Sequence, residues 1–211
     1  MQGEFRTRYA VNAIVMFAVT TLIAVSFSIG SYRIGEAERP FLYAVLLWII
    51  LMFSALSGLS RSFVKEQESG TMDILKLSAR PQAVFLGKLF FNLTLIGALE
   101  LIIVPSFIVL MKYEIKSPGF FISLVITAGL GLGTATTIVA AMIAQASAKG
   151  ALFSALSFPL ILPLMITAIK GFERASVDSV TSGWPEVRFT IAYMVVMTTA
   201  SMLLFPLVWE E

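Results

Sequence analysis

Six long runs of apolar residues, separated by short polar connections, follow one another along the chain. A helix needs about 20 mostly apolar residues to cross roughly 30 Å of hydrocarbon, and each run is near or above that length. Helices are expected because an open strand would leave backbone groups unpaired in lipid. The pattern therefore predicts an all-α integral membrane protein with six transmembrane helices. The predicted spans are residues 9–29, 41–59, 83–111, 120–143, 148–169 and 189–208.

The composition agrees with a chain that lies mostly in lipid. Of its 211 residues, 58% are hydrophobic and 13% are charged, whereas soluble domains carry about 45–50% apolar and about 25% charged residues. The connections are too short to hold a further domain of roughly 50 residues. We therefore expect residues 1–211 to form a single transmembrane domain.

The chain contains neither cysteine nor histidine. This excludes disulfides and thiolate metal sites, and it removes the commonest general base and the commonest metal ligand. The net charge is +2, and the basic residues form no long stripe that would follow a phosphate backbone. No catalytic site, metal site or nucleic-acid partner is expected.

Lysine and arginine between the spans indicate the orientation of the chain. Counted over all loops, eight basic residues against seven barely separate the two sides, but five lie between Arg61 and Lys88. Such a concentration is typical of a cytoplasmic loop and predicts that both termini are cytoplasmic. Arg6 and Arg8 precede the first span as in a signal peptide, but the apolar run is too long and no A-x-A site follows. An uncleaved span is expected.

The connection from Ser60 to Gln82 is the least lipid-like part of the chain. Thr71 can cap a short helix after Gly70, and Asp73 favours the positive end of the helix dipole. This helix is expected to end before Pro81. Its apolar residues are Met72, Ile74, Leu75 and Leu77, and its charged residues are Asp73 and Lys76. Two interpretations stay open: an interfacial anchor between two spans, or a docking element for a cytoplasmic partner.

The same connection resembles the permease subunits of type 2 ABC exporters. The matching segments are Glu66-Gln67-Glu68-Ser69-Gly70-Thr71, Ile74-Leu75-Lys76-Leu77-Ser78, Pro81 and Gly87-Lys88. In that family the segment after the acidic-Gly-Thr motif is a cytoplasmic coupling helix that fits into a groove on the ATP-binding subunit. The resemblance implies that the coupling residues are Glu66, Glu68, Gly70, Thr71, Asp73, Ile74, Leu75 and Lys76.

More narrowly, residues 4–12, 59–63 and 99–105 resemble the haem exporter protein B family of cytochrome c maturation, CcmB, and the resemblance covers nearly the whole chain. Members have a longer cytoplasmic lead, so the start of this chain looks trimmed. The resemblance implies a homodimeric permease in the bacterial inner membrane, bound to ATP-binding cassette subunits. ATP and Mg would belong to those subunits, haem is the candidate cargo, and no cofactor is intrinsic. A haem-handling membrane protein and a haem chaperone are the further expected partners.

Two other functions stay open at this point. One is a type 2 permease for a different cargo, such as a polysaccharide, a lipid or a drug. The other is a small intramembrane enzyme or ion-conducting subunit in which Glu100 is the acting group. A single carboxylate without histidine, cysteine or a second acid is a poor catalytic set, so a permease is favoured over an enzyme.

Glu100 is the one carboxylate well inside a predicted span. An unpaired charge there costs at least about 2.5 kcal/mol, so the group should be protonated, hydrogen-bonded or turned toward the protein interior. One interpretation is a polar hinge or part of a translocation path that changes state. The alternatives are a neutral carboxyl that bonds a neighbouring helix, or a position nearer the interface than the predicted span indicates. Pro105 follows five residues later and predicts a kink.

Two further spans carry residues that affect helix geometry. Gly129 and Gly133 have the small-xxx-small spacing that lets two helices approach closely, so they are expected to serve helix packing. A path lined by the backbone is the alternative. Pro159 and Pro163 lie four residues apart and each removes a helical hydrogen bond, which predicts a bent or broken helix. A loop is expected from Lys170 to Arg188.

Overall fold

A computed structural model describes residues 2–30, 35–59, 77, 80–143, 149–179 and 183–210. They form six helices: α1 (Gln2–Gly30), α2 (Arg39–Leu59), α3 (Pro81–Met111), α4 (Pro118–Ile143), α5 (Lys149–Val177) and α6 (Pro185–Glu210). The prediction of an all-α fold is confirmed, and each predicted span overlaps one of these helices.

Five of the helices are long and apolar enough to cross a bilayer. They are α2, α3, α4, residues Ala155–Val177 of α5 and residues Pro185–Leu207 of α6. In α1 the apolar stretch Val15–Ile29 is shorter. The first span, and with it the cytoplasmic position of both termini, therefore stays a prediction.

Proline and backbone geometry define several helix ends. Pro81, Pro118 and Pro185 are each the first residue of a helix, where a missing N–H needs no partner. At the other end of α3, Lys112 adopts a left-handed conformation with φ 49°. The N–H of Tyr113 then bonds the carbonyl of Ile108 at 3.0 Å, which closes the last turn and ends the helix.

Helix α4 is the centre of the bundle and contacts α2, α3, α5 and α6. Every residue from Gly131 to Ala141 is buried. Small side chains make this burial feasible, because a Cβ on Gly131 would lie 3.1 Å from Tyr193 of α6 and 3.2 Å from Leu164 of α5. A displacement of α4 would therefore change its contacts with α2, α3, α5 and α6.

The predicted loop from Lys170 is wrong, because α5 continues to Val177. Polar residues at 170, 173 and 174 resemble a loop in the sequence, but Phe172 and Ala175 between them are fully buried. Glycine is the residue that fits at position 171 of this helix, because a Cβ atom there would overlap Leu124 of α4. The apolar periodicity, and not the local polarity, therefore decides where α5 ends.

Of the two outcomes predicted at the prolines of α5, a broken helix is excluded, while the bend there and the kink at Pro105 stay predictions. Helix α5 runs without interruption through Pro159 and Pro163, and α3 runs through Pro105. All three rings are on exposed positions, so they do not disturb the packed faces. The hydroxyl of Tyr193 donates to the Leu160 carbonyl at 2.7 Å, beside Pro163, where helical hydrogen bonding is weakened.

Candidate functional site

The predicted coupling residues lie outside the residues that the structure describes. They are Glu66, Glu68, Gly70, Thr71, Asp73, Ile74, Leu75 and Lys76. Nearby, Leu77 is 91% exposed, and Arg80 has an extended backbone immediately before α3. The coupling segment, residues 66–76, is therefore joined to the first turn of α3 by only a few residues.

Glu100 lies on the face of α3 that meets α4. A Cβ on Gly129 would overlap the Oε1 atom of Glu100 and would lie 2.7 Å from its carboxyl carbon. The carboxyl group thus occupies the space that the glycine leaves. Within the described part of the chain, no hydrogen bond or ion pair involves this carboxyl. Eleven residues separate it from Met111, about 16 Å along the helix, so it lies well inside α3.

Gly133 faces the same helix one turn away. A Cβ on it would lie 2.6 Å from Cδ2 of Leu93 and 3.1 Å from Cδ1 of Ile96. Both glycines of the small-xxx-small pair are therefore opposite α3. This spacing permits two helix backbones to approach closely in a membrane.

Asn92 provides a third contact between the two helices, and the sequence analysis missed it. Its Nδ2 donates to the hydroxyl of Thr137 at 2.8 Å, and that hydroxyl donates to the carbonyl of Gly133 at 2.6 Å. Asn92 and Thr137 are 1% and 0% exposed. The available signal was an amide within a mostly apolar span, where polar side chains are costly.

These contacts follow one antiparallel register, which we call the α3–α4 seam. Each step of four residues forward in α3 is matched by four residues backward in α4. The seam consists of the pairs Asn92–Thr137, Ile96–Gly133 and Glu100–Gly129. Polar groups therefore stand at both ends of the seam and a close apolar contact lies between them.

Helix α6 is joined to the centre of the bundle by two further polar contacts. The hydroxyls of Thr127 in α4 and Thr190 in α6 are 2.7 Å apart, and Tyr193 bonds the Leu160 carbonyl of α5. Such bonds between helices are stable in lipid because no water competes for them. They hold α4, α5 and α6 together.

The connection between α3 and α4 closes the end of α5. The hydroxyl of Tyr113 donates to the Phe172 carbonyl at 2.6 Å, and the backbone N–H groups of Lys116 and Ser117 donate to the Ala175 carbonyl at 2.9 and 3.1 Å. Burial raises the pKa of the Tyr113 hydroxyl, so it stays a neutral donor near pH 7. The bonds to Ala175 satisfy a carbonyl in the last turn of α5, which a helix end otherwise leaves without a partner.

The same end carries an ion pair and aromatic contacts. Arg174 and Glu186 are joined at 3.1 Å, and the guanidinium lies 5.9 Å from the ring centre of Phe120. Trp184 packs edge-on against Phe120. Within the described ranges, no group of three or more His, Cys, Asp or Glu residues could hold a metal ion. The site is thus a set of contacts that join neighbouring helices of the bundle.

Comparison with known proteins decides the class to which this bundle belongs. The model of the CcmB protein family matches residues 1–208. The chain belongs to the CcmB family. One relative, the "Heme exporter protein B" of Bradyrhizobium diazoefficiens, is 25% identical over 178 residues, which cover 81% of this chain and 76% of that protein. The resemblance stated from the sequence is confirmed.

As a CcmB family member with several apolar helices, the chain is a protein of the bacterial inner membrane. The family match includes both the coupling segment and the seam. Of the site residues predicted from the sequence, the structure brings together Glu100, Gly129 and Gly133. It places Pro105, Pro159 and Pro163 on exposed positions away from them.

Proposed function

We propose that this chain is the membrane permease subunit of a haem-export complex that serves cytochrome c maturation, with no enzymatic activity of its own. The observation that carries the proposal is the match of the CcmB family over residues 1–208. The name of the Bradyrhizobium relative supports it. Helices long and apolar enough to span a membrane are what a permease requires.

ATP hydrolysis takes place in a separate ATP-binding cassette subunit, which holds the ATP and Mg. Its movement reaches the membrane through the coupling segment, where Glu66, Glu68 and Asp73 contact the ATP-binding subunit. Two observations support this route. The acidic-Gly-Thr motif stands in that segment, and α3 begins immediately after it and packs against the central helix α4.

The moving part of the complex is a homodimer of this chain, which works beside a haem-handling membrane protein and a haem chaperone. Its movement transfers haem or releases the haem-loaded chaperone. The chain has no histidine and no cysteine, the residues that most often bind haem iron in proteins. This favours a mechanical contribution over iron ligation by this chain, whose ten methionines are the remaining candidate ligands.

Two measurements test the proposed function. We expect an ATP-binding cassette subunit to be recovered in a fixed ratio when the chain is purified from membranes in mild detergent. We also expect cells without this gene to lose c-type cytochromes on haem-stained gels and to regain them when the gene is supplied again. A normal cytochrome yield in the deletion strain, with an ATP-binding subunit still recovered, would indicate another cargo and contradict the haem assignment.

A further inference from the structure

The Glu100–Gly129 contact of the α3–α4 seam does not fix its register by itself. A shift of one helical turn, about 5.4 Å, in one direction would bring Glu100 opposite Gly133 instead of Gly129. The carboxyl would again meet a glycine. The Glu100–Gly129 contact therefore permits two registers of α3 on α4, whereas Ile96 would exchange Gly133 for Thr137 in the shifted register.

The Asn92–Thr137 hydrogen bond distinguishes these registers. After the same one-turn shift, Asn92 would lie opposite Ala141, whose side chain offers no acceptor. The bond is buried in the bundle, so water cannot replace it. A single buried asparagine specifies the register of packed helices in coiled coils in the same way. Of the two polar contacts in the seam, this one discriminates between the registers.

The bond also engages the backbone of α4. The Thr137 hydroxyl accepts from Asn92 and donates to the Gly133 carbonyl, and Leu93, the next residue of α3, lies against Gly133. Two consecutive residues of α3 are thus held by the same turn of α4. Asn92 lies eleven residues after Pro81, about 16 Å from the start of α3, between the coupling segment and the rest of the seam.

We infer that Asn92 is a positioning residue that locks α3 to α4, so that movement received at the coupling segment displaces both helices as one body. This inference rests on the proposed function for the source of the movement. It assigns to Asn92 the choice of register, a role separate from binding the ATP-binding subunit. Loss of the lock would let α3 slip along α4 while the ATP-binding subunit stays attached.

The distance between the two helices tests the inference directly. The chain has no native cysteine, so spin labels can be attached at Val109→Cys in α3 and Met142→Cys in α4, both of which are exposed. These positions are about 30 Å apart along the helix axes, so a one-turn slip changes their separation by nearly the whole shift. The labelled chain is diluted into unlabelled chain, and the intact complex is measured by pulsed electron paramagnetic resonance with and without ATP.

We expect one distance in both conditions for the otherwise unchanged chain. Asn92→Leu should add a second distance that differs by about one turn, 5.4 Å, and should lower the cytochrome c yield at least fivefold while ATPase recovery changes less than twofold. Thr94→Val is the matched control, because the exposed Thr94 bonds only its own helix at the Phe90 carbonyl. It should behave like the unchanged chain.

Exchange of the two partners, Asn92→Thr with Thr137→Asn, should restore the single distance and most of the cytochrome yield. The inference would be overturned if adding ATP to the unchanged chain shifted the distance between the two spin labels by one turn, because α3 would then slide along α4 during the normal ATP-driven cycle. A single distance in Asn92→Leu, or failure of the exchanged pair to recover, would also overturn it. If no ATP-binding subunit is recovered even with the unchanged chain, it is the proposed function that fails.

Discussion

Replacement of Gly129 by leucine is expected to destabilise the helix bundle by about 2 kcal/mol, the usual effect of forcing a larger side chain into a packed site. Even the Cβ atom would overlap the carboxyl oxygen of Glu100, and the remaining side-chain atoms need space that α3 occupies. For a chain of this size the change corresponds to a fall of roughly 4–8 °C in the unfolding midpoint. Thermal unfolding of the purified chain in detergent measures it.

Gly97→Leu is the matched control, since a Cβ on Gly97 meets nothing within 4 Å. Both substitutions replace a helical glycine with the same residue, so the gain in helix propensity is similar and largely cancels in the comparison. Adding Glu100→Ala to the Gly129→Leu variant should recover at least half of the lost stability, because it removes the carboxyl group from the crowded site. Equal midpoints for the two leucine variants would contradict the close approach of α3 and α4.

Reversal of the three acidic charges in the coupling segment is expected to separate the chain from its ATP-binding subunit. Attractive contacts at the proposed contact surface become repulsive in the triple variant Glu66→Lys, Glu68→Lys and Asp73→Lys. Breaking close charge pairs at an interface costs about 2–5 kcal/mol, and each 1.4 kcal/mol is a factor of ten in affinity. Recovery of the subunit on purification should fall at least tenfold, and c-type cytochromes should disappear.

A second triple variant controls for the change in net charge. Glu36→Lys, Glu38→Lys and Asp178→Lys alter the charge by the same amount at exposed positions on the predicted extracytoplasmic side. Recovery of the ATP-binding subunit should stay within twofold of the unchanged chain, and both variants should reach the membrane in equal amounts. If the two triple variants recover equal amounts of the subunit, the coupling segment is not the contact surface.

The helices themselves could be predicted because long apolar runs in a membrane protein have few other stable conformations. The end of α5 could not, since Lys170 and Arg174 look like loop residues until Phe172 and Ala175 are seen to be buried. The uninterrupted course of α5 through Pro159 and Pro163 could not be predicted for a related reason. A sequence shows which hydrogen bond a proline removes, but it does not show that the ring lies on an exposed face where the helix tolerates it.

The pairing of residues across the seam was beyond sequence reasoning. Glu100 and the glycines of α4 each stood out alone, but their opposition depends on the register between two helices that are far apart in the chain. Asn92 was overlooked for the same reason, because its importance comes from Thr137, 45 residues away. Spacing within one helix is read from the sequence, whereas contacts between helices are decided by packing.

The most direct test of the account asks which side of the membrane carries the coupling segment and whether an ATP-binding subunit covers it. A single cysteine at the exposed Leu77 can be labelled with a membrane-impermeant maleimide, since the chain has no cysteine of its own. We predict that Leu77→Cys is labelled only in inside-out vesicles stripped of peripheral proteins. Adding the ATP-binding subunit back should protect it from the maleimide. Asp178→Cys should be labelled only from the outside. Labelling of Leu77→Cys on the outer surface of intact spheroplasts would contradict the account, because no ATP-binding subunit could then reach the segment.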